Sequence, residues 1–287
     1  MGAAAVCALG TSLLLAPPVG AGKDKRKIEV DPGPNAIGKA LDRADDGDVL
    51  RIHRGRYEEA LGIEKRVRLV AAGKRRPVID GECLTRSTVE ALADGVRLRR
   101  LKVVGGLAIE IDFRGVSGGR ADQLVVRDTC DAAYGINVYE TGPVKIRNSR
   151  AVGFNDAGFY AGEIAAGPVV LRDSEAHGNN RGVIIENSAP AAGAVNVRVR
   201  DSFFHDNNIP GRSGPAGILI HNSDGVRLKD NRATDNGTFG IHLTSDSNGN
   251  AVLDSSFLGN PFDIRNQGAG NCGSGYESQT GDTLPPC

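Results

Sequence analysis

The stretch VRLKDNRATDNGTFGIHLTS, Val226 to Ser245, holds two short runs of alternating apolar and polar residues, each closed by Asp, Asn, Gly or Ser. Alternation with a period of two is strand patterning, and nothing between the runs keeps the 3.6-residue period of a helix. The same phrase recurs on either side. Its first half reads VRLRR at Val96, VVRDT at Val125, VKIRNS at Val144, VVLRDS at Val169 and VRVRDS at Val197. Its second half reads GINVYE at Gly135, GFYAGE at Gly158, GVIIEN at Gly182 and GILIHN at Gly217. The positions Asp128, Asn148, Asp173, Asp201, Asp230 and Asp254 are 20, 25, 28, 29 and 24 residues apart. That is the period of a solenoid, whose single unit cannot bury its apolar face alone.

Repeats of this style, with the unit at Val226 to Ser245 as the clearest example, resemble the right-handed parallel β-helix of the pectin-lyase-like superfamily. The resemblance spans roughly residues 28 to 271. It implies an all-β solenoid with a short N-terminal capping helix, and it leaves the activity open, because many reactions share the scaffold. The segment 28–48 is similar to the entry of such helices. Asn35 is the expected N-cap, Ile37, Ala40, Leu41 and Ala44 form one apolar face, and Gly47 is the expected stop.

Residues 1–21 read as a secretory signal peptide: the apolar run from Ala3 to Ala16 is too short to span a bilayer and is followed by small residues up to Ala21. The expected organisation is a leader (1–21), a β-helix domain (22–271) and a tail (272–287). No stable membrane insertion is expected, and the expected location is extracellular. Outside the leader the cysteines are Cys83, Cys130, Cys272 and Cys287, an even set that favours disulfides in an exported protein. Cys272 with Cys287 is the expected bridge of the tail; for Cys83 and Cys130, pairing and simple burial both stay open. With 35 basic and 35 acidic residues the formal charge is zero, so no whole-protein field points to nucleic acid. The expected state is a monomer.

Aligning the units on their leading Gly sorts the columns of a stacked strand. Ile136, Phe159, Val183, Ile218, Ile241 and Phe262 should point inward, followed two places on by Val138, Ala161, Ile185, Ile220, Leu243 and Ile264. The outward positions collect Tyr139, Tyr160, Glu163, Glu186, His221, His242 and Arg265 on one face. If that face is catalytic, His221 or His242 is the expected base of a lyase or epimerase acting on a uronic-acid polymer, with Arg265 stabilising the charge and Glu186 beside them. A hydrolase would use Glu163 and Glu186 as a carboxylate pair instead. The plain alternative is a solvated face without chemistry.

Three further columns have both a functional and a structural reading. Arg99, Arg127, Arg147, Arg172, Arg200 and Lys229, flanked by Arg97, Lys145, Arg198 and Arg227, would hold an acidic polysaccharide; otherwise the Asp residues beside them compensate the charge. Asn187, Asn222 and Asn266 read as a turn ladder, and the Asp residues after the basic positions as turn chemistry. His177, His205 and Asp206 are either a metal site or two stacked solvated histidines at a turn. No cofactor is evident; calcium stays open, although the Asp cluster of pectate lyases that would hold it is missing. GRYEE at Gly55 matches one element of pectin methylesterases, but their other elements are missing. So are the N-T-D, D-D and G-H-G segments of polygalacturonases and the D-P-H-E of alginate epimerases. The expectation is an exported β-helix protein that binds or modifies an acidic polysaccharide, as a lyase, epimerase or glycoside hydrolase if it is an enzyme. The other reading is a noncatalytic surface or interaction protein on the same scaffold.

Overall fold

A computed structural model describes residues 25–164, 167–189 and 194–287; the segment expected to be a signal peptide lies outside them. Each complete coil lays one short strand into each of three parallel sheets, which have eleven, ten and nine strands because the coils at the two ends are incomplete. In every sheet, neighbouring strands come from successive coils, which is the topology of a parallel β-solenoid. The repeat at Val226 shows the order: Arg227–Lys229 joins the eleven-stranded sheet, Arg232–Thr234 the ten-stranded and Phe239–Leu243 the nine-stranded.

Alternation along these short strands sends one set of side chains into a single continuous core, from Val30 at one end to Leu284 at the other. Turns hold the corners. Asn148, Asp173, Asp201, Asp230 and Asp254 all take left-handed backbone conformations after the eleven-stranded sheet, φ 46 to 55°, as their turn assignment requires. Asp128 does not belong with them. Val125–Arg127 pairs with Arg150–Val152 in the ten-stranded sheet, and the eleven-stranded sheet takes Arg120–Asp122 in that coil. The VVRDT phrase matches the consensus in letters but lies one side further round the coil.

The leading glycines form a column facing inward. A Cβ on Gly182 would lie 2.6 Å from the Gly217 carbonyl oxygen of the next coil, and one on Gly217 2.6 Å from the Ala233 Cβ. Buried amides stitch the coils beside this column: Asn179, Asn207, Asn236 and Asn260 pass Nδ2 to Oδ1 hydrogen bonds of 2.9–3.0 Å from one coil to the next. This ladder is fully buried and separate from the exposed Asn pair at the other corner, where Asn222 donates to Asn187 at 2.8 Å. Asn266 is outside that pair. It aligns with Leu243, because Phe239 pairs with Phe262, Ile241 with Ile264 and His242 with Arg265. The last coil is thus shifted by two residues from the Gly-based alignment, and Phe262 is exposed, not inward.

Helix α1, Ala36–Arg43, covers the N-terminal opening with Ile37, Ala40 and Leu41. Asn35 occupies the N-cap position in a left-handed conformation and makes no side-chain cap. The carboxylate of Glu59 does so instead, accepting from the backbone N–H of Ile37 and Gly38 at 2.9 Å each. Gly47 lies in the turn beyond the helix, at φ 94°. The GRYEE segment is structural here: Tyr57 is buried and donates to the Val30 and His53 carbonyls at 2.9 Å.

Both disulfides form, Cys83–Cys130 and Cys272–Cys287. Cys83 is exposed, so the first bridge clamps two surface loops and does not fill the core. Residues Cys272–Ser274 and Glu277–Ser278 add a last rung to two of the sheets, within the segment expected to be a tail.

Candidate functional site

The nine-stranded face carries Tyr139, Gly162, Glu186 and His221 in one column, on four successive coils. Asn137, Tyr160, Ile184, Leu219, His242 and Arg265 form the column beside it. The register shift therefore brings Arg265 next to His242. His221 Nε2 lies 3.9 Å from Glu186, whose other oxygen accepts a 2.6 Å hydrogen bond from the Tyr160 hydroxyl. Burial and that carboxylate push the Tyr160 hydroxyl well above the usual tyrosine range. Glu163 sits one position beyond the Glu186 column and is held by Tyr139 at 2.6 Å, so each carboxylate is tied to a different tyrosine. His242 Nε2 faces Gln267 at 2.9 Å. Burial, with Arg265, Arg181 and His221 nearby, holds its imidazole below the usual range and favours the neutral ring, while Gln267 opposes that shift. These groups share a face, yet nearly all are satisfied by neighbours on that face.

The eleven-stranded face differs. Two basic columns run side by side on it. In the first, charge is neutralised within the chain: Arg99 and Arg147 flank the buried Asp122 at 3.3 and 3.1 Å, Arg172 meets Asp173 at 2.8 Å, Arg200 meets Asp201 at 3.9 Å, and Lys229 lies 3.8 Å from both Asp230 and Asp254. Arg127 is not in this column, for the reason of topology given above. The second column reads Arg68, Arg97, Arg120, Lys145, Val170, Arg198 and Arg227. None of its basic side chains has an ion pair or hydrogen bond among the described residues. Burial lowers the Arg97 guanidinium, and Arg120, Arg68 and Arg66 lower it further by repulsion. Lys145, Arg147, Arg172, Arg198, Arg200, Arg227 and Lys229 line a groove of about 560 Å³ in which Val170 is the exposed apolar side chain, while Ile146 and Val199 point into the core behind it. Sequence reasoning missed Arg68 and Arg120. The signal was spacing: Arg120 is 23 residues after Arg97 and 25 before Lys145, although its RAD segment lacks the repeat phrase.

On the ten-stranded sheet, His177 and His205 are paired strand residues, not turn residues, with rings stacked 5.0 Å apart and side chains 22% and 18% exposed. His205 contacts Glu175 at 3.1 Å and Asp206 at 2.6 Å, whereas His177 Nε2 faces the Arg150 guanidinium at 2.6 Å. Burial, then Arg150 and His205, lowers the His177 imidazole. Among the described residues no group of three His, Cys, Asp or Glu side chains is placed to hold a metal ion, and no helix is long and apolar enough to cross a membrane.

Three stacked parallel sheets around one core define the class: a parallel β-helix of the pectate-lyase-like kind. Residues 104–282, more than half of the chain, match the family model described as periplasmic copper-binding protein (NosD), and the chain belongs to that family. Its fold is similar to that of the pectate lyase Pel9A, with a TM-score of 0.56 at 14% identity over 92% of this chain and 81% of the lyase. It is equally similar to the ORF18 protein of Geobacillus virus E2, with a TM-score of 0.56 at 14% identity over 88% of this chain and 62% of that one. A search of curated proteins finds no match.

Proposed function

We propose that the protein is exported and binds an acidic polysaccharide lengthwise along the basic face of the eleven-stranded sheet, without performing chemistry on it. The observation that carries this reading is the column Arg68, Arg97, Arg120, Lys145, Arg198 and Arg227, which has no counter-charge among the described residues. Like charges stacked about 4.8 Å apart repel one another. A flexible polyanion running along the axis would meet a cation on every coil of this column except the one that carries Val170, and would remove that repulsion. The planar guanidinium forks suit the carboxylates of uronic-acid units, and the part-exposed Val170 side chain suits the C–H face of a sugar ring. Pectate, the substrate named for one structurally similar protein, is an acidic polymer of this kind. Two surface disulfides support an oxidising compartment, in keeping with the periplasmic description of the family.

Catalysis is the weaker reading. A base at His221 or His242 needs room to reach a substrate proton. Instead Glu186 is tied to Tyr160 and His242 to Gln267, while Arg265 lies 4.0 Å from Asp282. Copper, which the family description names, does not fit the described residues. The four described cysteines are in disulfides, and at the stacked histidine pair His177 Nε2 faces a guanidinium while both His205 ring nitrogens already contact carboxylates, with no group of three ligands among the described residues.

The test is binding of polygalacturonate and alginate to the purified protein across a salt series, with absorbance at the ultraviolet edge followed in parallel. The expected outcome is affinity that falls steeply with salt and no unsaturated product. Salt-independent binding, or product formation, overturns the reading.

A further inference from the structure

At the N-terminal end of the eleven-stranded face, Lys25, Arg66, Arg68 and Arg97 enclose a pocket of about 210 Å³ together with Gly47 and Gly95. Every side chain that lines it is a cation. The two glycines stand in the turns just before the strands Val49–Ile52 and Arg97–Arg99, at φ 94° and 73°. The Lys25 stem passes over Gly47, where a Cβ would lie 3.7 Å from its Cγ, and the Arg66 stem is laid against Gly95, where a Cβ would lie 3.0 Å from its Cδ. Arg68 and Arg97 face each other in register on adjacent strands. Among the described residues none of the four cationic groups has an ion pair or a hydrogen bond.

The acids of this corner are engaged elsewhere. Asp45 and Asp48 pair with Arg26 at 3.0 and 2.8 Å, Asp46 accepts the Arg66 backbone N–H at 2.9 Å, and Asp94 accepts the Ser117 N–H at 2.7 Å. The cations of the pocket therefore act on one another: burial, then the charges of Arg120, Arg68 and Arg66, lowers the Arg97 guanidinium. The pocket is smaller than the usual site of a drug-sized ligand, at about 300 Å³ and above, and suits an ion or one charged group. A carboxylate brings a single charge on two oxygens, enough for one guanidinium fork. A phosphate group brings close to two charges on at least three acceptor oxygens, so that it can face several forks and an ammonium at once.

We propose that this pocket binds a phosphate group, free or as a monoester, whose oxygens are shared among the guanidiniums of Arg66, Arg68 and Arg97 and the ammonium of Lys25. It has Arg68 and Arg97 in common with the basic column but does not rest on the acidic-polymer reading. The test is titration calorimetry of the full chain at low salt with inorganic phosphate, glucose 6-phosphate and sulfate, with acetate as the singly charged control and polygalacturonate in a separate arm. Phosphate and its ester are expected to bind with a Kd of about 1 mM or tighter, and acetate about tenfold more weakly. Whichever of the two binds more tightly identifies the occupant as the free ion or the esterified group. Between pH 7.5 and pH 5 the ester loses most of its second charge, whose pKa is about 6, so its affinity should fall severalfold while that of sulfate stays level. Arg66→Gln should weaken phosphate about tenfold, the effect of losing one charge-assisted contact, and Lys25→Gln severalfold. Both should leave polygalacturonate affinity within a factor of about two, whereas Arg227→Glu should lower that affinity and leave phosphate binding unchanged. Lys25 is exposed, so Lys25→Gln decides the matter if Arg66→Gln lowers the thermal transition. Phosphate binding without polygalacturonate binding supports the pocket and sinks the polymer reading. The proposal is overturned if neither phosphate nor the ester binds, if acetate binds as tightly, if the affinity of the ester does not follow its second charge, or if binding survives the substitutions at Lys25 and Arg66.

Discussion

The eleven-stranded and nine-stranded faces are built by the same device, outward side chains repeated coil after coil, and they end in opposite states. On the nine-stranded face chemistry-bearing groups find partners on neighbouring coils: Tyr160 holds Glu186, Tyr139 holds Glu163 and Gln267 holds His242. On the eleven-stranded face one column is neutralised by Asp residues while the cations of the column beside it have no carboxylate partner among the described residues. A side chain that already has its partner inside the chain is explained by the fold. One that repels its neighbours and has no partner among the described residues is left to solvent, salt or an external anion to compensate. On the proposed reading, the residues that look most catalytic by type are therefore the weaker functional candidates, and the plain arginines are the stronger ones.

The comparison breaks most readily at Arg198 and Arg227. Reversing both to Glu should lower affinity for a polyuronate by two to three orders of magnitude, about 3–4 kcal/mol. Glu186→Gln and His221→Ala should leave it within a factor of two or so. Titration calorimetry at low salt measures both, and the reverse pattern would move the binding face to the nine-stranded sheet.

The inner side of the nine-stranded sheet sharpens the contrast, because it too has a group missing a partner. Glu110 stands in the glycine column, fully buried. Oε2 accepts from Thr88 and the Gly106 N–H at 3.0 and 3.2 Å, and Oε1 has no partner. Burial raises its carboxyl to about 7, helped by the charge of Asp128 and opposed by the Thr88 hydrogen bond. A raised folded value means that the protonated acid is the stabilising form. Its contribution is full below the ordinary value of 4.5 and is lost as pH rises through about 7. Glu110→Gln should remove that slope and stabilise the protein above this window by on the order of 3 kcal/mol. Thermal unfolding at pH 5 and pH 8.5 reads it. An unpaired charge pointing outward is free to wait for a ligand; one pointing inward gives up its charge.

How much of this was legible follows from what each feature depends on. The coil, the three-sided stacking and the single core are encoded in local alternation and turn residues, which is why Val226 to Ser245 was enough to read the fold. Register across coils is a longer-range property. VVRDT carried the consensus letters into the wrong sheet, and the two-residue shift at Phe262 arose because no Gly leads that strand: Asp263 takes the place of the glycine column. The Glu59 cap of α1 and the Cys83–Cys130 clamp join segments 22 and 47 residues apart, so no local pattern announces them. For the site, residue type was visible and pairing was not. Whether an Arg has a carboxylate beside it depends on which column the fold puts it in.

A smaller effect tests whether pairing on the nine-stranded face is structural. Tyr160 is nearly buried against Tyr134 and Ile184, and its hydroxyl is tied to Glu186. Tyr160→Phe keeps the ring and removes one hydrogen bond to a carboxylate, so stability should fall by about 1.5 kcal/mol with polyuronate affinity unchanged. Urea unfolding gives the first number and calorimetry the second. A loss of affinity without a loss of stability would make the tyrosine a ligand contact and return this face to contention.

The smallest effect is the most direct check on the unpaired column, because its sign differs between adjacent columns. Arg97 lies between Arg68 and Arg120 on the neighbouring coils, and like charges facing each other across strands destabilise a sheet. Arg97→Gln keeps much of the aliphatic stem and removes one repelling charge, so it should stabilise the free protein by about 0.5 kcal/mol at low salt, with the gain fading as salt screens the column. Arg147→Gln, one column over, removes a cation that lies 3.1 Å from the buried Asp122. Asp122 would keep Arg99 and Asn148 but lose its closest charge partner, so this change should destabilise by at least as much. Urea unfolding of the two variants side by side, at low and high salt, separates them without any ligand. If Arg97→Gln destabilises as Arg147→Gln does, the column is balanced from within the chain, and the argument that it waits for an external polyanion fails.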